Sequence, residues 1–132
     1  MPGHRMGRRF ALDALQDRYR APALDKGLDI LELLAATDGG LNQAEIAKRL
    51  GKTHNELYRM LNTLVRRGYV ARDEGDRFSL TLKLFGLAHL HAPVRRMASY
   101  ATPMMRELAQ ATQQANQLVV FDRGSVVPIA QQ

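Results

Sequence analysis

A mainly α-helical fold with a small β wing is predicted for this chain, and three observations carry the prediction. Apolar residues recur at three- and four-residue spacing in successive stretches between residues 22 and 112, which is the helical period. Hydrophobic residues make up 45% of the chain but aromatics only 6%, with no Trp, a balance that suits Leu-rich helical packing. Two-residue alternation takes over in the short runs around 69–71 and 78–82, on either side of an acidic, glycine-containing turn.

The elements follow in order. Residues 1–21 carry Arg5, Arg8, Arg9, Arg18 and Arg20 against Asp13 and Asp17, with Phe10, Leu15 and Tyr19 on one side, and are expected to form a basic arm. The charged start lacks the apolar stretch of a signal peptide, so no export signal is read. Pro22 opens a first helix on which Leu24, Leu28, Leu31, Leu34 and Ala35 recur, ending at Gly39 and Gly40. Asn42 can cap a second helix, with Glu45 reaching back and Leu41 stapled onto Ile46, and Gly51 ends it. After Lys52, Thr53 and Glu56 form a second potential capping box. Leu57, Met60, Leu61, Leu64 and Val65 then stay in helical register up to Gly68, giving a third helix over 53–67.

Tyr69, Val70 and Ala71 read as a strand, residues 73–76 as the turn, and Phe78, Leu80 and Leu82 as the returning strand of a two-stranded hairpin. Residues 82–90 are again apolar at helical spacing. Pro93 opens a longer stretch with Val94, Met97, Ala101, Met104, Met105 and Leu108 on one side, close to a coiled-coil seam. Thr102 and Pro103 predict a bend or break within it. Finally, 118–121 and 126–129 are β-prone runs around Asp122, Arg123 and Gly124 with no sheet to join, so the chain is expected to stop inside a second domain. The organisation predicted is an arm (1–21), a three-helix domain with its wing (22–82), a helical linker and dimerisation region (83–116) and the start of a truncated α/β effector-binding domain (117–132).

Composition narrows the function. Nineteen Lys and Arg against thirteen Asp and Glu give a formal charge of +6, a field that attracts polyanions. Without Cys there are no disulfides or thiolate metal sites, and no apolar run reaches the roughly 18 residues of a membrane span, which fits a reducing cytoplasm. His89 and His91, two apart on a helix, point in different directions with no further ligand beside them. Asp73, Glu74 and Asp76 lack the spacing and terminal Glu of a calcium loop. No glycine-rich phosphate loop or Ser-His-Asp signature occurs, so no enzyme, cofactor or metal is expected.

Three helices with a short turn between the second and third, followed directly by a hairpin, are in the order of a winged helix-turn-helix followed by a linker helix. On a helical wheel, Leu57, Leu61 and Leu64 of the third helix converge on one side and Asn55, Arg59, Asn62 and Arg66 on the other. The polar side suits a major groove, because Arg pairs bidentately with guanine O6 and N7 and Asn with adenine N6 and N7. The N-terminal half of such a helix lies deepest, which makes His54, Asn55, Tyr58 and Arg59 the candidate base contacts. Gln43, Lys52, Thr53 and Arg66, with backbone amides at the helix starts, are the candidate phosphate contacts; Arg72 and Arg77 either extend them onto the wing or pair with Asp73, Glu74 and Asp76 beside them. Glu56, a carboxylate near phosphates, is expected to cap Thr53 and brace Arg59.

With those residues in hand, the sequence resembles the IclR family of bacterial regulators. The likeness lies in 28–34, in 43–51, most specifically in Glu-Leu-Tyr-Arg-Met-Leu at 56–61 with 64–70, and continues from Ser-Leu-Thr-Leu-Lys-Leu at 79–84 to the last residue. The resemblance implies a winged helix-turn-helix joined by a linker helix to a small-molecule-binding α/β domain resembling the GAF fold, with 118–132 as that domain's first hairpin. It also implies a dimer or tetramer on double-stranded operator DNA, acting as a repressor, with a small-molecule effector only where a full-length effector domain exists. Many members carry Ser-Thr where this chain has Asn55 and Glu56, so an amide and a carboxylate replace two hydroxyls. The rival readings are a winged-helix protein-interaction module acting through heterodimers, and single-stranded nucleic acid binding, for which only Tyr58 and Tyr69 offer stacking platforms.

Overall fold

The computed structural model describes residues 18–132, in two compact units that divide between Thr81 and Leu82. All but the last residues of the expected N-terminal arm lie outside the described residues.

In the first unit, α1 spans Pro22–Ala35, β1 Leu41–Asn42, α2 Gln43–Leu50, α3 His54–Arg66, β2 Val70–Arg72 and β3 Arg77–Leu80. Pro22 stands in the first turn of α1, where its missing N–H costs no hydrogen bond. The packed stripe of α1 differs from the expected one: Ile30 and Leu34 are buried, whereas Leu24 and Leu28 are 62% and 46% exposed. Apolar residues occupy more than one side of this helix, so spacing alone did not fix its phase, and its first two turns contribute no buried residue.

The capping boxes at α2 and α3 form as expected. Asn42 Oδ1 accepts from the Glu45 amide at 2.8 Å while the Asn42 amide donates to Glu45 Oε2 at 3.2 Å. Gly51 closes α2 in the left-handed conformation, with φ at 63°, as a C-terminal glycine does. Leu41 and Ile46, the predicted staple, both enter the core with Ile30, Leu34, Ala47, Leu57, Leu61, Val70 and Phe78. Leu64 packs against this cluster only partly buried.

The wing is larger than the predicted hairpin. β1 pairs antiparallel with β3, Leu41 opposite Phe78, to give a three-stranded sheet in the order β1-β3-β2. A two-residue extended segment running straight into a helix cap leaves no alternation to read, which is why periodicity missed it. Gly40 permits the approach: a Cβ there would lie 3.1 Å from both Arg77 Cβ and the Phe78 carbonyl oxygen. In the turn, Asp73 Oδ1 accepts from the Gly75 and Arg77 amides at 2.9 and 3.0 Å, and Asp76, not glycine, takes the positive φ of 55°. The returning strand ends at Leu80, and Leu82 is 81% exposed outside it.

The second unit holds α4 (Lys83–Leu90), α5 (Ala92–Thr112), β4 (Gln117–Asp122) and β5 (Ser125–Gln131). α5 continues through Pro103 without the predicted break; beside it the Thr102 hydroxyl donates to the Ala98 carbonyl at 2.6 Å. The interruption falls instead at His91, whose extended ψ of 116° separates α4 from α5. β4 and β5 form an antiparallel hairpin whose two-residue loop, Arg123 and Gly124, has positive φ at both positions, the tight-turn geometry matched to strand twist. Asn116 Nδ2 donates to the carbonyl of Met105, the one buried hydrophobic residue of this unit.

Candidate nucleic-acid interface

The interface is built on α3, and its N-terminal turn is held from three directions. Within the chain segment itself, the Thr53 amide and hydroxyl donate to Glu56 Oε2 at 2.9 and 3.0 Å, and the Glu56 amide donates back to Thr53 Oγ1 at 3.3 Å. From α2, Gln43 Nε2 donates to the His54 carbonyl at 3.1 Å. From α1, Lys26 Nζ reaches Glu56 Oε1 at 3.0 Å. Both carboxylate oxygens of Glu56 are therefore occupied by donors that favour its charged form. The Thr53 amide, then Lys26, then the Thr53 hydroxyl lower its pKa to about 2 from the ordinary 4.5.

This corrects the expected brace in one respect: the cap is present, but the cation is Lys26 of α1 rather than Arg59. Sequence reasoning looked along α3 for the partner, where one turn of helix brings neighbours together. Lys26 is thirty residues away and is brought in only by the packing of α1 on α3.

The two faces of α3 separate as the wheel predicts. Leu57 and Leu61 are buried, while His54, Asn55, Tyr58, Arg59, Asn62 and Arg66 are all exposed. Asn55, Tyr58 and Arg59 line an open groove of ≈ 670 Å³ together with Pro22, Lys26 and Glu56. An exposed amide on one turn of the helix is thus followed by a phenol and a guanidinium on the next, beside a carboxylate already paired with Lys26 from behind.

The predicted phosphate contacts are placed unequally. Lys52 and Thr53 are exposed at the turn before α3, and Arg66 at its end. Gln43 spends one amide hydrogen on His54 and keeps a second. The wing arginines are engaged within the protein. Arg72 pairs with Asp76 through Nε and Nη2 at 3.0 and 2.9 Å and lies over the Phe78 ring. Arg77 Nη2 donates to the Gly40 carbonyl and approaches Glu45 Oε2 at 3.6 Å. Among the described residues no group of His, Asp and Glu could hold a metal ion, and no helix is long and apolar enough to cross a membrane.

Comparison with known proteins bears on this arrangement directly. The IclR helix-turn-helix domain matches residues 23–74, from the first turn of α1 to the wing turn. The transcriptional regulator BhcR of Paracoccus denitrificans is 32% identical over 131 residues, 98% of this chain and 46% of that protein. The chain belongs to the IclR family. A second HTH-type transcriptional regulator, KdgR of Escherichia coli, is 35% identical over 86 residues, covering 64% of this chain and 33% of that protein. Among solved structures, an IclR-family transcriptional regulator from Brucella abortus superimposes with a TM-score of 0.68 at 28% identity, over 89% of this chain and 45% of that one. The chain therefore spans less than half the length of each of these relatives. All three of these relatives are transcriptional regulators rather than enzymes.

Proposed function

We propose that this IclR-family chain is a sequence-specific regulator that lays α3 in the major groove of an operator as a homodimer, with repression as its output. The observation that carries the reading is the division of α3 into a buried Leu57 and Leu61 side and an exposed side bearing His54, Asn55, Tyr58 and Arg59. Arg59 would take guanine and Asn55 adenine through bidentate bonds, with His54 and Tyr58 at the flanks. Lys52, Thr53, Gln43 and Arg66, with the amides at the starts of α2 and α3, would fix the register on phosphates. Arg72 and Arg77 would add phosphate contacts through the guanidinium hydrogens that their internal pairs leave over.

Dimerisation through 82–108 is favoured by the large apolar side chains that α4 and α5 expose, Leu82, Phe85, Leu90, Tyr100 and Met104 among them. Two heads so joined would meet half-sites about one helical turn apart. Repression is the proposed output because such a dimer, seated across a promoter, would obstruct polymerase. A small-molecule effector belongs to this reading only through a complete effector domain, and the cytoplasm is its expected compartment.

Selection of duplexes from a random pool tests the proposal. The 132-residue chain should enrich a pseudo-palindromic site, and binding should weaken steeply with salt, by a log–log slope of about 0.9 per phosphate contacted. Absence of an enriched sequence, or equal competition by single-stranded oligonucleotides, would overturn it. Flat salt dependence would instead favour a protein-interaction module.

A further inference from the structure

The turn of α3 that carries the candidate base contacts also carries a carboxylate, and the structure spends an unusual amount of machinery on it. Glu56 is the only acidic residue of α3. A negative charge in the first helical turn suits the helix itself, since it faces the positive end of the helix dipole. It does not suit a surface that is to approach phosphates. Lys26 meets both demands: it comes from α1, stands 3.0 Å from Glu56 Oε1, and is itself mostly covered, its side chain 21% exposed against 38% for Glu56. The pair lines the groove that Asn55, Tyr58 and Arg59 also line.

Resting on the major-groove reading above, we propose that Lys26 is a positioning residue for DNA recognition: through Glu56 it ties the reading end of α3 to α1 and cancels the carboxylate's charge, without itself contacting DNA. Gln43 on the His54 carbonyl does the corresponding work from α2, so the reading end is tied to both other helices of the head. A lysine that merely contacts phosphate would have its ammonium spread outward. This one is turned inward to a carboxylate whose other oxygen is already filled by Thr53.

The two roles separate in a mutant cycle on the full chain. The probes are a duplex that the wild-type protein selects from a random pool and a scrambled duplex of the same length. Lys26→Met keeps the aliphatic stem and removes the charge. It is expected to weaken the selected duplex about fivefold, leave the salt slope unchanged, and be rescued only in part by adding Glu56→Gln, which abolishes the stranded charge and keeps a capping side chain but does not restore the tie to α1. Lys26→Arg should bind like wild type. The proposal is overturned if Lys26→Met lowers the salt slope by about one and loses the same affinity in the Glu56→Gln background, the signature of a direct phosphate contact. It is equally overturned if Lys26→Met binds the selected duplex as wild type does. Failure of the wild-type chain to select any duplex would be seen before any variant is made, and would remove the DNA-reading proposal itself. Circular dichroism of each variant, expected to match wild type, keeps loss of fold from passing as loss of positioning.

Discussion

The two units of this chain solve the problem of apolar surface in opposite ways. Up to Thr81, nine hydrophobic side chains from three helices and three strands close over one another, with Ile30, Ile46 and Leu57 at zero exposure. From Leu82 onward only Met105 is buried, while Phe85, Leu90, Tyr100, Met104 and Phe121 stand between 64% and 80% exposed. Full burial of one such side chain stabilises by roughly 1.5–3 kcal/mol, so the first unit collects this term many times over within itself and the second scarcely at all. The lesson is that an amphipathic pattern specifies that a face wants covering but not what covers it. In the head the cover is the same chain; on α4 and α5 the proposed cover is a second copy.

Six substitutions would break or sharpen that contrast, or the division of labour within the head. Leu57→Ala, in the centre of the head, is expected to cost about 2–5 kcal/mol in chemical denaturation, whereas Met105→Ala should cost no more than about 2 kcal/mol. Equal costs would mean that the second unit has a core of its own. Arg59→Ala should weaken the selected duplex by about 1–3 kcal/mol and relax one base preference in a fresh selection, while Lys52→Ala weakens all sequences alike. Uniform loss in both would cancel the division between readers and anchors. Thr53→Ala removes a cap worth about 1 kcal/mol, read as a lower denaturation midpoint. Smallest of all for the stability of the head is Phe85→Asp on α4: the head's unfolding should shift by no more than about 0.5 kcal/mol, while sedimentation moves toward monomer. A head that melts with it would show α4 to be part of that core.

Acid adds a separate check on the α3 cap. The Glu56 carboxyl is held at about 2 in the folded protein, below its ordinary 4.5. Its stabilising contribution is therefore complete above about pH 4.5 and is lost as pH falls through about 2. Glu56→Gln should flatten the acid limb of the stability curve in that window and leave the neutral region without slope.

Much of the head was legible before any coordinates, because its signals are local. Asn42 with Glu45, and Thr53 with Glu56, are reciprocal pairs three residues apart, and both capping boxes form. The faces of α3 follow from a 3.6-residue wheel. What escaped depends on packing between elements. The partner of Glu56 comes from α1, β1 exists only because β3 lies beside it, and Arg77 is turned onto Gly40 and Glu45. The phase of α1 was misread because its apolar residues do not confine themselves to one stripe. Of the bend or break expected at Pro103, the break does not occur, and α5 runs on through the proline.

The joint between Gly40 and Arg77 has a mechanical consequence. Arg77 reaches from the wing to the Gly40 carbonyl and to Glu45 in the cap of α2, where a Cβ at position 40 would press on Arg77 and on the Phe78 carbonyl at 3.1 Å. These contacts and the β1–β3 pairing fasten the wing to the head. Under the proposed operator binding, a mismatch in curvature beneath a wing held in this way would fall to the duplex. Pyrimidine–purine steps, which yield most easily, should accordingly be enriched at those unread positions of the selected sites. Sequencing the enriched pool of a Gly40→Ala variant, in which this fastening is loosened, should find that bias weakened.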